Sequence, residues 1–244
     1  MGGGGLSSAG ERTFDVTAAP RRSGNTAGEA GGSSLRALSV AEIVETGLRL
    51  GLRDGFDVLS MRTLARELNV STMALYHHVP NKRGLLILLV DAVLAGIPVP
   101  PPEFGDWPDR LRELNGRSTE VLTSFPGLDR VMFDMPPTPE GWRLMNGYVQ
   151  ILLDAGFPER EAALAFSVLH SYGLGRTTME RELQASRERG DGADKGVHPP
   201  MPALDRLNAH WASLHRPAYR GFAIDVIIEG LRTILESASR AKPL

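Results

Sequence analysis

The chain predicts an all-α fold, with an N-terminal three-helix bundle built around a helix-turn-helix and a larger helical domain after it. Three features carry this expectation. Apolar residues over Ser60–Lys82 keep a helical period, lose it at Asn69 and resume it on a new phase. Capped apolar helices flank that stretch on both sides. Beyond the run Pro98-Val99-Pro100-Pro101-Pro102, every apolar pattern is helical and no strand-like alternation competes.

Residues 1–34 are rich in Gly, Ser and Ala, hold few large apolar groups and are expected to form a disordered tail. The opening MGGGG lacks the charged and apolar regions of a secretory signal. Residues 35–97 make up the helix-turn-helix domain, and 98–244 the second helical domain. The first helix of the helix-turn-helix domain starts at Ser39-Val40-Ala41-Glu42, a capping box in which Ser39 caps the helix and Glu42 reaches back to the Ser39 amide. Val40, Ile43, Val44, Gly47, Leu48 and Gly51 line one face, and the helix ends near Asp54-Gly55.

Ser60 caps the next helix, whose inward face is Leu64, Ala65 and Leu68. Ala65 is small enough for a following helix to cross closely. Asn69 tolerates the left-handed backbone of a sharp turn, Val70 plugs the gap beneath it, and Leu75 and Val79 face inward after Ser71. Thr72, Met73, Ala74, Tyr76, His77 and His78 are left outside. Small side chains at a helix N-terminus suit base edges in a major groove, and Tyr and His further along suit phosphate oxygens. His77 points about a hundred degrees away from Tyr76 and is read as surface or packing. Asn81 caps a fourth helix with Lys82 and Arg83 in its first turn, where amides and macrodipole attract a phosphate.

From Val40 to about Ile97 this pattern, including the segment LYHHVPNK, resembles the tetracycline-repressor (TetR) family of one-component transcriptional regulators. The resemblance implies that Arg62 and Thr72 read bases, and that Met73 and Ala74 touch thymine methyls or neighbouring phosphates. It also implies that Ser60, Tyr76, His78 and Lys82 clamp the DNA backbone. Asn69 stands where the family often has Gly.

Formal net charge is −2, which argues against a nonspecific DNA coater. Positive charge is local instead, with Arg62, Arg66, Lys82 and Arg83 set against Glu67 alone over 61–83. That suits a few phosphate contacts per subunit, with affinity gained by dimerising. No apolar run approaches the roughly 18 residues a membrane span requires, so no membrane partner is expected. The chain contains no cysteine, which is compatible with the expected cytoplasmic location.

In the second domain, Asp106 caps a helix through about Ser124 bearing Trp107, Leu111, Leu114 and Val121. Breaks at Pro126-Gly127 and Met135–Pro139 precede a helix to about Asp154 with Trp142, Met145, Val149 and Leu153 on its apolar side. Gly156 stops it, and Pro158-Glu159 opens a long helix to about Gln184. A loop is expected over 186–202, then helical pattern over 203–215 and again over about 219–239. Ala223, Val226, Ile227, Gly230, Leu231 and Ile234 make a stripe in the last helix that something must cover.

The two long C-terminal helices resemble the pair that joins two subunits in the family, and Gly173, Gly175 and Gly230 permit close approach. The resemblance therefore implies a homodimer whose recognition helices lie about 34 to 36 Å apart, a near-palindromic double-stranded DNA operator, and release by a small-molecule effector of unknown identity. Candidate effector contacts are Trp142, Met145, Phe166, His170 and Tyr172. Arg176, Met179, His210 and Trp211 complete them. The tetracycline repressor itself takes a metal-chelated drug, but no metal-ligand set matches here, so neither that metal nor any cofactor is expected. No phosphate-binding glycine loop, HExxH pair, Gly-x-Ser-x-Gly elbow or cysteine nucleophile is present, and no catalytic residue is assigned. The competing reading is a DNA-binding architectural protein or an activator without a sensor.

Overall fold

The computed structural model describes residues 38–190, 201–207, 210 and 218–240. The expected tail over 1–34, most of the loop and following helix expected over 186–215, and Trp211 lie outside the described residues. The described part is helical and contains no strand: α1 Val40–Asp54, α2 Met61–Glu67, α3 Thr72–Tyr76, α4 Lys82–Ala95, α5 Trp107–Ser124, α6 Leu128–Phe133, α7 Pro139–Asp154, α8 Glu159–Arg189, α9 Pro202–Asp205 and α10 Ala218–Arg240.

Local chemistry sets the helix starts. Ser39 and Glu42 form the reciprocal capping box of α1, with the Glu42 amide donating to Ser39 Oγ at 3.2 Å and the Ser39 amide to Glu42 Oε2 at 2.9 Å. Ser60, Ser71 and Asn81 cap α2, α3 and α4, accepting from the amides of Thr63, Ala74 and Gly84. Asn69 has φ 55°, the left-handed conformation the turn demands, and the Val70 amide then donates to the Ala65 carbonyl at 3.0 Å.

Packing runs α1 on α2 and α4, α2 on α3, and then α4 on α5, α6 and α7, with α5, α7, α8 and α10 closing the second bundle. Ile43, Leu64, Leu75, Leu85 and Leu89 are fully buried in the head, and Leu111, Leu114 and Ile151 in the body. The buried cluster is continuous through Val90, Val93 and Leu94 of α4.

Several elements depart from the expected pattern. Helix α6 fills the stretch between the two breaks, where none was expected. In α7 the buried residues are Leu144, Gly147, Ile151 and Leu152, whereas Trp142 and Leu153 are exposed. This helix packs on three neighbours, and its buried face is centred roughly 150° around the helix from the expected stripe, with Met145 and Val149 half-buried between them. Helix α8 continues to Arg189, supported by the i,i+4 hydrogen bond from Gln184 to Glu188, and stops at left-handed Gly190. Helix α3 ends at Tyr76, so His77 caps it and His78 lies just past it. In α10 the expected stripe divides: Leu231 is buried and Ala223 and Ile227 are half-buried, while Val226, Gly230 and Ile234 are exposed, and the buried face is completed by Ile224 and Ile228, which the stripe did not include.

Gly51 is the tightest point of the head. A Cβ there would lie 2.3 Å from the Phe56 ring, which is wholly buried and packs edge-on against Phe125 at 5.7 Å. Gly51→Ala is therefore expected to destabilise the protein by about 1 to 2 kcal/mol, the overpacking cost exceeding the helix-propensity gain of about 1 kcal/mol. A denaturant midpoint equal to or above that of the parent would contradict this packing.

Candidate functional site

The first site is the outer surface of α2 and α3. Leu64, Ala65, Leu75 and Val79 are buried, so the opposite face of α3 is fixed outward. Thr72, Met73 and Tyr76 are exposed, Met73 by 67% and Tyr76 by 47%, with Ala74 half-buried between them. Arg62, His78 and Lys82 are exposed on the same head, and His77 is exposed as well. Ser60 is half-buried, and its hydroxyl caps α2 by accepting from the Thr63 amide at 3.0 Å while lying 2.8 Å from the Thr63 hydroxyl.

Charge on this head is arranged by α1. Glu67, the lone acid among residues 61–83, meets Arg49 at 2.6 Å and Arg53 at 3.8 Å. The Arg49 hydrogen bond above all, aided by Arg53, holds the Glu67 carboxyl below the usual carboxylate range. The acid is neutralised from behind, and Arg62, Arg66, Lys82 and Arg83 dominate the local field.

The second site is a cavity of about 180 Å³ in the body, walled by α4, α5, α6, α7 and α8. Val90, Leu94 and Ile97 form its floor, and Leu122, Met132 and Leu144 are among its sides. Polar groups converge from α5 and α7. The Tyr148 hydroxyl donates to Ser118 Oγ at 3.4 Å, and burial, the larger effect, pushes the Tyr148 phenol up against the opposing influence of Ser118 and Asn115.

Of the residues singled out for effector contact, Met145 and His170 line the cavity. Phe166 stacks on His170 with ring centroids 5.4 Å apart. Trp142 is exposed beside the lining residue Gly141, and Tyr172 is half-buried off the lining. Arg176 is paired with Glu180 at 2.6 Å, Met179 and His210 are exposed, and Trp211 lies outside the described residues. Asn115, Ser118, Thr119 and Thr177 were not anticipated. Their signal is the i, i+3, i+4 spacing of Asn115, Ser118 and Thr119 on a helix face otherwise held by Leu111, Leu114 and Leu122.

Two links join the cavity wall to the head. At the C-terminal end of α4, Arg143 of α7 donates to the carbonyls of Leu94 and Ile97 at 3.1 and 2.8 Å, and the Glu140 amide donates to Asp91 Oδ1 at 2.8 Å. Near α6, the Phe56 amide donates to the Pro126 carbonyl at 2.8 Å, and Arg130 stands 3.6 Å from Asp57 and 3.0 Å from Glu182.

This combination defines a helix-turn-helix transcriptional regulator with a helical sensor domain. Residues 43–89 match the profile described as "Bacterial regulatory proteins, tetR family", and residues 99–235 match "Tetracyclin repressor-like, C-terminal domain". The tetracycline repressor protein class G of Vibrio anguillarum is 27% identical over 199 residues, covering 81% of this chain and 95% of that protein. The HTH-type transcriptional repressor DrrR1 of Streptomyces coeruleorubidus is 25% identical over 213 residues, covering 81% of this chain and 78% of that protein. The structure of ActR from Streptomyces coelicolor in complex with actinorhodin superposes with a TM-score of 0.66 at 28% identity, over 81% of this chain and 96% of that one. The chain belongs to the TetR family. Its function is that of a ligand-responsive transcriptional repressor.

The α4–α7 clamp is testable by stability alone. Arg143→Ala removes a charged donor shared by two carbonyls and is expected to cost about 2 kcal/mol. Asp91→Asn keeps the acceptor oxygen and is expected to cost less than about half of that. Equal denaturation midpoints for Arg143→Ala and the parent would remove the clamp from the account.

Proposed function

We propose that two copies of the chain pair through α8 and α10, bind a near-palindromic operator through α3 in the major groove, and let go when a small molecule occupies the cavity. The carrying observation is that α4 serves both sites. Its first residue, Lys82, lies just past α3, and about 12 to 18 Å further along the helix Val90 and Leu94, with Ile97 just beyond its end, form the cavity floor. A ligand that displaces the far end of this helix tilts the head on which α3 is mounted. In this reading the protein works in the cytoplasm, where its DNA lies. No described helix is long and apolar enough to cross a membrane.

In this reading Arg62 and Thr72 contact bases, Met73 and Ala74 approach thymine methyls or adjacent phosphates, and Ser60, Tyr76, His78 and Lys82 hold the backbone. Footprinting on DNA flanking its own coding region locates the operator. Tyr76→Phe and Lys82→Ala are then expected to weaken binding to all sequences, and Lys82→Ala to lower the slope of log affinity against log salt by about 1. Changes at Arg62 and Thr72 are expected to alter preference at particular base pairs by about 1 to 3 kcal/mol. Uniform losses at all four positions would refute this division of roles.

Pairing is supported by faces that nothing among the described residues covers. Leu164, Val168 and Met179 on α8 and Phe222, Val226 and Ile234 on α10 are all exposed. A Cβ placed on Gly175 or Gly230 meets nothing within 4 Å, leaving room for a neighbouring helix. Val226→Arg would bury an unpaired charge at the centre of the joint, at a cost of about 3 kcal/mol or more. Sedimentation is expected to show at least an approximately hundredfold weaker dimer, with operator binding lost in parallel. A variant that remains dimeric at the same concentrations would place the joint elsewhere.

A further inference from the structure

The outer side of α3 lacks every side chain that tells base pairs apart by matching donors to acceptors. From Ser71 to Val79 the chain holds no Arg, Lys, Asn, Gln, Asp or Glu. Those are the types that pair with guanine (Arg, Lys), adenine (Asn, Gln) and cytosine (Asp, Glu) on their major-groove edges. The opening residues of a groove helix are the ones that meet those edges. In α3 they are Thr72, Met73 and Ala74, with Leu75 and Val79 turned into the core behind them.

These three residues present a hydroxyl and hydrocarbon. The Thr72 hydroxyl both donates and accepts, so it satisfies the O4 acceptor of thymine and the N4 donor of cytosine alike. The neighbouring Ser71 hydroxyl is turned to its own helix, where it accepts from the Ala74 amide at 3.1 Å. Tyr76 and His77 stand at the far end of α3. The opening residues therefore have no means of separating a donor from an acceptor on a pyrimidine edge.

A methyl group is a different matter. Thr72 Cγ2, the Met73 thioether and Ala74 Cβ are adjoining apolar contacts, and Met73, 67% exposed, has the most surface to remove from water. The C5-methyl of thymine is the apolar group on the major-groove edge of a base pair. Cytosine methylated at C5 carries the same group in the same place. Guanidinium groups come from α2 instead, where Arg62 and Arg66 are exposed and Glu67 is held by Arg49 at 2.6 Å.

We propose that α3 recognises C5-methyl groups on pyrimidines through Thr72, Met73 and Ala74, so that 5-methylcytosine takes the place of thymine in the operator while cytosine does not. Cytosine methylation is then a mark that this head reads, turning a sequence with C where the operator has T into a binding site. The proposal rests on the placement of α3 in the major groove put forward above.

The test uses the full-length protein and the footprinted duplex, with affinity measured by anisotropy. Each thymine of one half-site is replaced in turn by deoxyuridine, which removes the methyl and leaves the pairing edge unchanged. At two or three positions the affinity is expected to fall about fourfold, as for one apolar carbon returned to water. A C·G pair at those positions is expected to cost at least as much, and 5-methylcytosine in its place to recover most of the loss. Thr72→Ala and Met73→Ala alter exposed side chains and leave Leu75 and Val79 in place. Each is expected to weaken binding to the unmodified operator and to abolish the preference for thymine over deoxyuridine at one position.

Full affinity with every thymine of the half-site replaced, or 5-methylcytosine no better than cytosine, overturns methyl reading. If Thr72→Ala and Met73→Ala still weaken binding in that case, α3 stays in the groove and reads by other means. A deoxyuridine loss that both variants retain unchanged assigns the methyl to duplex shape and also overturns the proposal. Operator affinity untouched by Thr72→Ala, Met73→Ala and Tyr76→Phe removes α3 from the groove, and the placement fails before methyl reading is reached.

Discussion

The architecture depends on the burial of α4 between two partners. On one side it packs against α1, where Gly47 brings the helices so close that a Cβ would lie 2.7 Å from the Leu89 side chain. On the other it is pinned to α7 by Arg143 and Asp91. Its apolar residues therefore cover more than one side, with Leu85 and Leu89 serving the head and Val90, Val93 and Leu94 the body. A helix with a single apolar stripe would be able to belong to one domain or the other, but not to both.

That dual membership explains what the amino-acid sequence revealed and what it concealed. The head was legible because its signals are local. Ser39 with Glu42, Ser60, Ser71 and Asn81 mark helix starts by their own hydrogen bonds, and Asn69 marks the turn by its tolerance of positive φ. In α7 the apolar period survives on several faces because α4, α5 and α8 all press on it, so Trp142 and Leu153 were assigned inward when they face outward. The short α6 has no periodic signal to offer, since its position is set by tertiary contacts such as the ion pair of buried Asp129 with Arg181.

The cavity was harder to see than the head for a related reason. Ligand contact was sought among conspicuous aromatic and charged residues of α7 and α8. Arg176 instead spends its charge on Glu180 within its own helix, and Trp142 and Met179 face outward. The cavity is framed by inconspicuous residues, such as Ser118 and Thr177, whose hydroxyls satisfy helix carbonyls and so cost little to bury. Their placement depends on the crossing of α5, α7 and α8, which no single segment encodes.

Electrostatics divide the labour between the two ends. On the head, Arg49 and Arg53 cancel Glu67 from the inner side, leaving the exposed cations of α2 and α4 to act on a polyanion at distances near the Debye length. In the cavity, charges in the neighbourhood are consumed in pairs: Asp129 with Arg181, Arg143 with Glu140, and Arg176 with Glu180. Long-range attraction finds DNA and suits a target carrying charge along its whole length. A neutral pocket exerts no such pull and selects by shape and hydrogen bonding, so the polyanion at one end does not compete with the ligand at the other. In the proposed function, what passes between them is displacement. The short routes available are the Asp91 and Arg143 contacts on α4, and the α6 contacts through Phe56, Asp57 and Arg130. Both routes begin at residues beside the cavity wall and end in the head, so a ligand that repositions α6 or the start of α7 acts on α1 and α4 together.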